Sequence, residues 1–194
     1  MPIPKKTDVY YRYNIPNVIT IQIDTREQIP MLFPEIIHIG HPELTFKSIP
    51  IAVKKERIKL DYGDYRLAEY PNICVFERKA SALELYKNMN ESQDRIRQAK
   101  AFRKLATQCK FPYLLIECSP AELLANDARI KNPELLVHRI SLAIAKYNLR
   151  ALFIPWKSRS PEVRRKVGTL MLHLMVGCVL QESFDVPPVL LEED

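Results

Sequence analysis

Apolar and polar residues alternate in short runs over the first part of the chain, and patterns of helical period follow in the second part. Val18 to Ile23 alternates branched and polar residues and predicts a strand that ends at Asp24. Residues 45–53 predict another strand, which Pro50 interrupts or confines to the edge of a sheet. Residues 35–44 fit no single pattern.

A β-hairpin is predicted between residues 60 and 79. Residues 60–67 form its first strand, the turn is Glu69-Tyr70-Pro71-Asn72, and residues 73–79 form the returning strand. The turn centres either between Tyr70 and Pro71 or between Pro71 and Asn72, and the sequence leaves both registers open.

The hairpin brings Asp64 beside the triplet Glu77-Arg78-Lys79 in either register. Asp64 lies opposite Glu77 in the first register and opposite Lys79 in the second. Glu77 and Lys79 are two residues apart, so both point to one face of the sheet, and Asp64 shares that face. Arg78 points to the other face.

Helices and apolar strands alternate after the hairpin. Helices are predicted over residues 81–89, 93–109, 133–147 and 160–182, and a further helix begins at Ser119-Pro120. Apolar strands are predicted over residues 112–118 and 150–155. Helix 93–109 is expected to bury one apolar side made of Ile96, Ala99, Phe102, Leu105, Ala106 and Cys109. This order predicts an α/β or α+β domain with a mixed sheet flanked by helices.

The composition narrows the class of protein. A chain of 194 residues favours one domain, and a net charge of +6 suits a polyanionic partner such as nucleic acid. The four cysteines form no C-x-x-C pair, so neither a zinc site nor a disulfide framework is expected, and a reducing intracellular location is predicted. The longest apolar run, residues 167–180, is too short for a membrane span.

Acidic residues cluster at three predicted strand ends: Asp24 with Glu27, Asp64, and Glu77. Carboxylates that face each other across strands repel, and charge at the end of an apolar strand is costly without a partner. A Mg²⁺ or Mn²⁺ ion would turn that repulsion into attraction, because hard cations take oxygen ligands. A carboxylate pair beside Lys79 therefore predicts metal-assisted hydrolysis of a phosphodiester.

Three motifs in this order resemble the nuclease domain of the XPF family of structure-specific endonucleases. They read VITIQIDTRE at 18–27, LDYGDY at 60–65 and VFERK at 75–79. The similarity continues through RIRQ at 95–98 and YLLIE at 113–117 and covers residues 18–180. No single motif is specific, but the ordered set is.

The resemblance implies a restriction-endonuclease-like fold, a mixed β-sheet flanked by α-helices, in a small single-domain member of the family. The chain divides into an N-terminal arm over residues 1–17, which are rich in Pro, Lys and Tyr, a nuclease domain over residues 18–182 and an acidic tail over residues 183–194.

The resemblance also implies a catalytic set, which comprises Asp24, Glu27, Asp64, Glu77, Arg78 and Lys79. Asp24, Asp64 and Glu77 would bind Mg²⁺ or Mn²⁺, and Glu27 would complete the acidic site. Lys79 would orient or deprotonate the attacking water and stabilise charge on the phosphate. Arg78 would brace the site from the other face of its strand.

One position departs from the family pattern. The family usually has an aspartate where this chain has Leu83, and Glu84 follows it. Whether Glu84 substitutes for that aspartate, and whether the site uses one metal ion or two, stays open.

Basic residues supply candidate DNA contacts, which are Arg26, Arg95, Arg97, Lys100 and Lys104. The stripe Arg97, Lys100 and Lys104 either grips the DNA backbone or forms the solvated side of a packed helix. The apolar last helix is either buried in the core or, as the family's habit of pairing implies, part of a homodimer or heterodimer interface.

The prediction is a metal-dependent DNA endonuclease acting in DNA repair, recombination or phage DNA processing, and whether it is structure-specific stays open. The alternative is a catalytically silent DNA-binding subunit of a nuclease complex. The acidic set argues against that alternative, because a silent subunit has no physical reason to keep mutually repelling carboxylates together. The DNA structure that is cut and the polarity of cutting stay open.

Overall fold

A seven-stranded mixed sheet forms the centre of the computed structural model, which describes residues 15–40, 48–125, 127–155 and 160–184. The strands are β1 Val18–Asp24, β2 Ile36–Gly40, β3 Ser48–Ile58, β4 Tyr65–Leu67, β5 Cys74–Lys79, β6 Phe111–Ile116 and β7 Arg150–Phe153. The described helices are α1 Ala82–Asn90, α2 Ser92–Gln108, α3 Pro120–Leu123, α4 Pro133–Tyr147 and α5 Pro161–Phe184. Most of the predicted N-terminal arm, and the tail from residue 185, lie outside the described residues.

The strand order is β2-β3-β1-β4-β5-β6-β7. β1 and β3 are parallel, and so are β5, β6 and β7, whereas β4 runs antiparallel to both of its neighbours. The carboxyl ends of β1 and β5 therefore meet the start of β4 at one end of the sheet. The predicted mixed sheet with flanking helices is confirmed.

Helices cover the two faces of this sheet separately. α5 buries residues such as Met171 and Met175 against one face, in a core that includes Ile21, Phe76 and Leu115. The other helices pack on the opposite face, where residues such as Leu85, Phe102 and Leu136 meet Val75 and Leu114. The core interpretation of the last helix is confirmed. None of the described helices has the length and apolar character needed to cross a bilayer.

The helix starts follow from local capping. The Ser81 side chain accepts the N–H of Glu84 at 3.1 Å, Ser119 and Glu122 form a reciprocal capping box, and Asn132 caps α4. α4 ends at Asn148, which adopts the left-handed conformation that closes many helices. The predicted helices agree with the observed ones to within a few residues.

Strands β2 and β3 differ from the prediction. The ambiguous segment 35–44 contains β2, and β3 continues to Ile58, beyond the expected end at Val53. Pro50 lies inside β3, but pairing with β1 begins only at Ala52. The Ala52 N–H points to the β1 side, where it donates to the carbonyl of Asn17. Pro50 lies two residues earlier in β3, so an N–H at that position would point to the same side, at a level that β1 does not reach. Proline therefore costs this strand no β1 hydrogen bond.

Helix α2 buries most of the face that was expected, with one exception. Phe102, Leu105 and Cys109 are buried and Ala99 and Ala106 are partly buried, whereas Ile96 is 57% exposed and Gln98 is buried in its stead. The apolar pattern alone placed Ile96 inward and was wrong. The inward position belongs to the polar Gln98, because its amide has a hydrogen-bond partner on the sheet, Glu77.

A candidate active site at one end of the sheet

The register of three neighbouring strands lines up three acidic residues. Ile23 pairs with Tyr65 and Tyr65 pairs with Phe76, so the next positions along these strands are Asp24, Asp64 and Glu77. The N–H of Asp24 donates to the carbonyl of Asp64 at 2.8 Å. Of the two hairpin registers left open by the sequence, the structure has the one that places Asp64 opposite Glu77.

The segment before Asp64 is a bend rather than the expected strand over residues 60–67. Gly63 has a φ of 66°, in the left-handed region, and a Cβ atom there would lie 2.3 Å from Val75 Cγ1. Only glycine allows the chain to turn this closely against β5. β4 is therefore reduced to Tyr65–Leu67, and Asp64 stands at its start.

Asp64 is a crowded carboxylate. Burial raises its pKa well above the usual range, and the neighbouring charges of Glu77 and Glu27 raise it further. The main-chain N–H of Arg78 donates to Asp64 Oδ2 at 2.7 Å and offsets only part of this effect. A cation bound between these acids would remove the repulsion.

Lys79 and Glu77 lie together on the face of the sheet that carries α1 and α2. Lys79 Nζ is 2.8 Å from Glu77 Oε1 and 3.9 Å from Glu84 Oε1, and Gln98 donates to Glu77 Oε1 at 3.4 Å. Burial lowers the pKa of Lys79, but these carboxylates outweigh it, so the pKa is raised. Lys79 therefore carries its proton at neutral pH, which suits charge stabilisation rather than proton abstraction.

Glu84, the neighbour of Leu83, contributes to this cluster. One of its carboxylate oxygens accepts the N–H of Ala80 at 2.8 Å, and the other lies within ion-pair distance of Lys79. Glu84 thus ties the start of α1 to the end of β5. Leu83 is partly buried.

Arg78 braces the opposite face of the same strand. Its guanidinium contacts Glu27 and Glu117, and the Tyr65 hydroxyl donates to Glu27 Oε2 at 2.7 Å. The Tyr65 oxygen in turn accepts the main-chain N–H of Met31 at 3.0 Å. Burial lowers the pKa of Arg78, but the hydrogen bond to Glu117 and the nearby acids raise it overall. Glu27 is therefore held in a buried ionic network.

Sequence reasoning left Tyr65 and Glu117 out of the candidate site. Each carries a signal in hindsight: Tyr65 follows Asp64 directly, and Glu117 is a charge at the end of the apolar strand β6, as Glu77 is near the end of β5. Neither signal shows that Glu117 contacts Arg78 directly or that Tyr65 is linked to Arg78 through Glu27. These contacts join segments that are far apart in the sequence.

Asp24 has a different environment from Asp64 although the two residues are neighbours. Its buried carboxylate accepts hydrogen bonds of 2.7 Å from the main chain and side chain of Arg26, and one of 2.8 Å from the N–H of Leu60. Burial raises the pKa of Asp24, but these bonds outweigh it and the pKa is lowered. Arg26 remains largely exposed, and the charges of Asp64 and Glu77 also help to raise its pKa.

The carboxylates differ in what they offer a metal ion. No three His, Cys, Asp or Glu side chains in the described parts of the chain are placed to hold a metal together. Mg²⁺ commonly uses one or two protein carboxylates and takes its other ligands from water and phosphate. The crowded pair Asp64 and Glu77 fits that donor set. Asp24 would join it only by exchanging Arg26 for the metal.

The candidate DNA contacts divide between two places. Arg95, Arg97, Lys100 and Lys104 are all exposed on α2, and Arg97 forms an ion pair of 2.6 Å with Asp94. Arg26 lies beside the acidic residues instead. Further exposed basic residues, missed by the sequence prediction, follow the end of β3: Lys54, Lys55, Arg57 and Lys59, of which Lys55 pairs with Glu35.

Comparison with known proteins places the fold. No family model and no curated protein sequence matches the chain. Two solved structures of XPF from Aeropyrum pernix are similar at 16% identity, one of them a complex with DNA. The first alignment has a TM-score of 0.49 and covers 78% of this chain and 60% of that chain. The second has a TM-score of 0.51 and covers 82% and 66%.

The chain therefore spans about two thirds or less of the length of these XPF chains. The similarity to the DNA complex, together with the strand order and the flanking helices, shows an XPF-like nuclease fold.

Proposed function

We propose that this protein is a Mg²⁺- or Mn²⁺-dependent DNA endonuclease. One observation carries the proposal: Asp64 and Glu77 face each other across β4 and β5, with the ammonium group of Lys79 beside Glu77 on the same face. Holding two repelling carboxylates together costs electrostatic free energy unless a cation binds between them. Phosphodiester hydrolysis uses such a cation and a nearby fixed positive charge.

Each residue near the pair has a defined task in this proposal. Asp64 and Glu77 hold the metal, which when bound polarises the phosphate and lowers the pKa of water. Lys79 stabilises negative charge that develops on the phosphate oxygens. Arg78 and Glu27 keep β5 and the segment after β1 in position through the ionic network on the other face.

DNA as the substrate is supported by charge and by the fold. The net charge is +6, and exposed basic residues lie on α2, which also supplies Gln98 to the acidic cluster. The XPF structure of similar fold was determined in complex with DNA. We infer an intracellular role in DNA repair, recombination or phage DNA processing.

Pairing through α5, as a homodimer or heterodimer, is part of the same proposal. The face of α5 turned away from the sheet presents Leu170, which is 43% exposed, together with His173 and Gly177. An L170E variant that stayed associated with its partner in sedimentation velocity would argue against pairing at this face.

The alternative, a silent DNA-binding subunit, has one observation in its favour. The Asp24 carboxylate is fully occupied by Arg26 and the N–H of Leu60, so the third acid of the row is not free for a metal. Such a subunit would bind DNA and leave it uncut in the presence of Mg²⁺ or Mn²⁺.

The experiment separates these two functions. A panel of single-stranded, flap, forked, four-way-junction and linear duplex DNA is incubated with the wild type and with D64A and K79A, in Mg²⁺, Mn²⁺ and EDTA. We expect metal-dependent cleavage by the wild type, reduced at least ~100-fold in each variant, with DNA affinity largely kept. E162A and K166A, which remove the partners of an exposed ion pair on α5 at the other face of the sheet, are the matched controls.

Two results would overturn the proposal. Cleavage by D64A or K79A at the wild-type rate would mean that the site is misassigned. Tight DNA binding by the wild type without cleavage of any substrate in either metal would favour the silent subunit.

A further inference from the structure

A cavity of about 290 Å³ opens between α2 and α4, beside the acidic row. Its wall is apolar and aromatic: Phe102 and Tyr147 lie with ring centroids 6.1 Å apart and planes tilted by 52°, and Met89 and Ala143 complete the surface. At the mouth, Leu142 is 56% exposed. The volume is at the lower end for small-molecule sites, so the cavity suits one flat ring system.

The same cavity has a positive rim. Arg95, Arg139 and Lys146 line it, and none of its lining residues, all of which are described, is acidic. Arg139 is held in place by the main-chain oxygen of Met89 at 3.2 Å and by the Asn90 side chain. Arg95 and Lys146 are exposed and available to an anion. An apolar slot with cationic edges matches a nucleotide, whose base is flat and whose phosphate is negative.

Gln98 connects this cavity to the candidate active site. Its side chain lines the cavity and also donates to Glu77 Oε1 at 3.4 Å. The wall of the cavity therefore lies within one side chain of the acidic row.

We propose that the cavity between α2 and α4 binds one unpaired base of the DNA strand next to the cut, with a backbone phosphate on Arg95 or Lys146. This inference rests on the proposed nuclease function and adds a base-binding subsite to it. A base must leave the duplex stack to enter such a slot, and that costs least where the DNA is already single-stranded.

The test measures binding without cleavage, on the full chain in EDTA. Oligonucleotides carry 2-aminopurine, a fluorescent base whose emission falls on stacking, at successive positions of a single-stranded segment. The variants are A99F, which fills the cavity from α2, and K146A, which removes a rim charge. T107F, exposed on α2 but outside the cavity, controls for the added ring, and R165A, exposed on α5, controls for the lost charge.

We expect quenched 2-aminopurine emission at one position with the wild type and both controls. A99F should lose this quenching and bind the single strand about tenfold more weakly, the range of one base–aromatic contact, while its affinity for fully paired duplex changes less than twofold. K146A should weaken binding less than A99F and show a smaller dependence on salt. An oligonucleotide abasic at that one position should bind the wild type as weakly as A99F binds the intact strand.

Three results would overturn this inference. One is wild-type affinity and quenching in a folded A99F, confirmed by thermal unfolding. Another is equal affinity of the wild type for the abasic and intact strands. The third is binding of a free deoxynucleoside monophosphate in the cavity while the DNA strand leaves it empty. Loss of the nuclease proposal itself would appear separately, as absence of metal-dependent cleavage with the EDTA binding results unchanged.

Discussion

Asp24 and Asp64 are adjacent in the sheet and have opposite electrostatic environments. Asp24 is buried, yet its pKa is lowered because Arg26 and the N–H of Leu60 satisfy its charge. Asp64 has a raised pKa because it is desolvated and is repelled by the charges of Glu77 and Glu27, while its side chain has one main-chain hydrogen bond, from Arg78. The chain supplies a cation to the first aspartate and mainly further acids to the second.

The difference separates a structural carboxylate from a candidate catalytic one. A buried acid that is paired and hydrogen-bonded stabilises the fold in its charged form. A buried acid that is crowded by other acids destabilises the fold unless an ion binds to it. Acids of this kind are found at functional sites more often than at sites that only stabilise the fold. Asp24 belongs to the first kind and Asp64 to the second, although both end up in one row.

The largest effect should come from replacing the crowded aspartate. D64N keeps an oxygen that can accept the N–H of Arg78 but removes the charge, so metal-dependent cleavage should fall at least ~100-fold while the folded state becomes more stable. Steady-state cleavage and urea unfolding of the same preparations measure both changes. A D64N protein that is inactive and also destabilised would point to a structural role for Asp64.

Replacing the paired aspartate should act mainly on stability. D24N can no longer accept all the hydrogen bonds from Arg26 and Leu60, so the free energy of unfolding should fall by about 2 kcal/mol. Urea denaturation measures this change, and its midpoint should shift in the direction opposite to that of D64N. Equal stability of D24N and the wild type would show that the Arg26 pair contributes nothing net.

The pH dependence of stability in metal-free buffer should distinguish the two aspartates. The pKa of Asp64 is raised in the folded state, so the wild type loses stability relative to D64N as the pH rises from about 4 through that raised pKa. The pKa of Asp24 is lowered, so its stabilisation is present above about pH 4 and is lost as the pH falls through its folded pKa.

Thermal unfolding across the pH range measures these differences. At a pH above the Asp64 pKa, Mg²⁺ should raise the Tm of the wild type, because the ion neutralises the repulsion between the charged Asp64 and Glu77. The Tm of D64N, which lacks the Asp64 charge, should stay unchanged. An equal Mg²⁺ effect on both proteins would place the bound ion elsewhere.

The smallest effect should follow from R26Q. The main-chain donors of Arg26 and Leu60 remain on Asp24, and only a partly exposed ion pair is lost, so the free energy of unfolding should fall by about 0.5–1 kcal/mol. NMR titration of the Asp24 carboxyl should show its pKa moving upward. A larger loss of stability than that of D24N would contradict the pairing described for these residues.

Much of the fold could be predicted because its signals are local. Helix α4 spans the predicted residues 133–147, and the last helix has the apolar face that the core requires. The bend before Asp64 and the length of β3 could not be predicted. Both depend on contacts across the sheet, the first on the approach of Gly63 to Val75 and the second on pairing with β1.

By itself the sequence determined that Asp64, Glu77 and Lys79 share one face, since side-chain alternation is a property of the strand. Only the tertiary structure decided which acids are paired and which are crowded. Arg26 neutralises Asp24, Arg78 holds Glu27 and Glu117 on the far face, and Asp64 is left against Glu77. Charge and burial act through distance in space, and most of these distances join segments that the sequence keeps far apart.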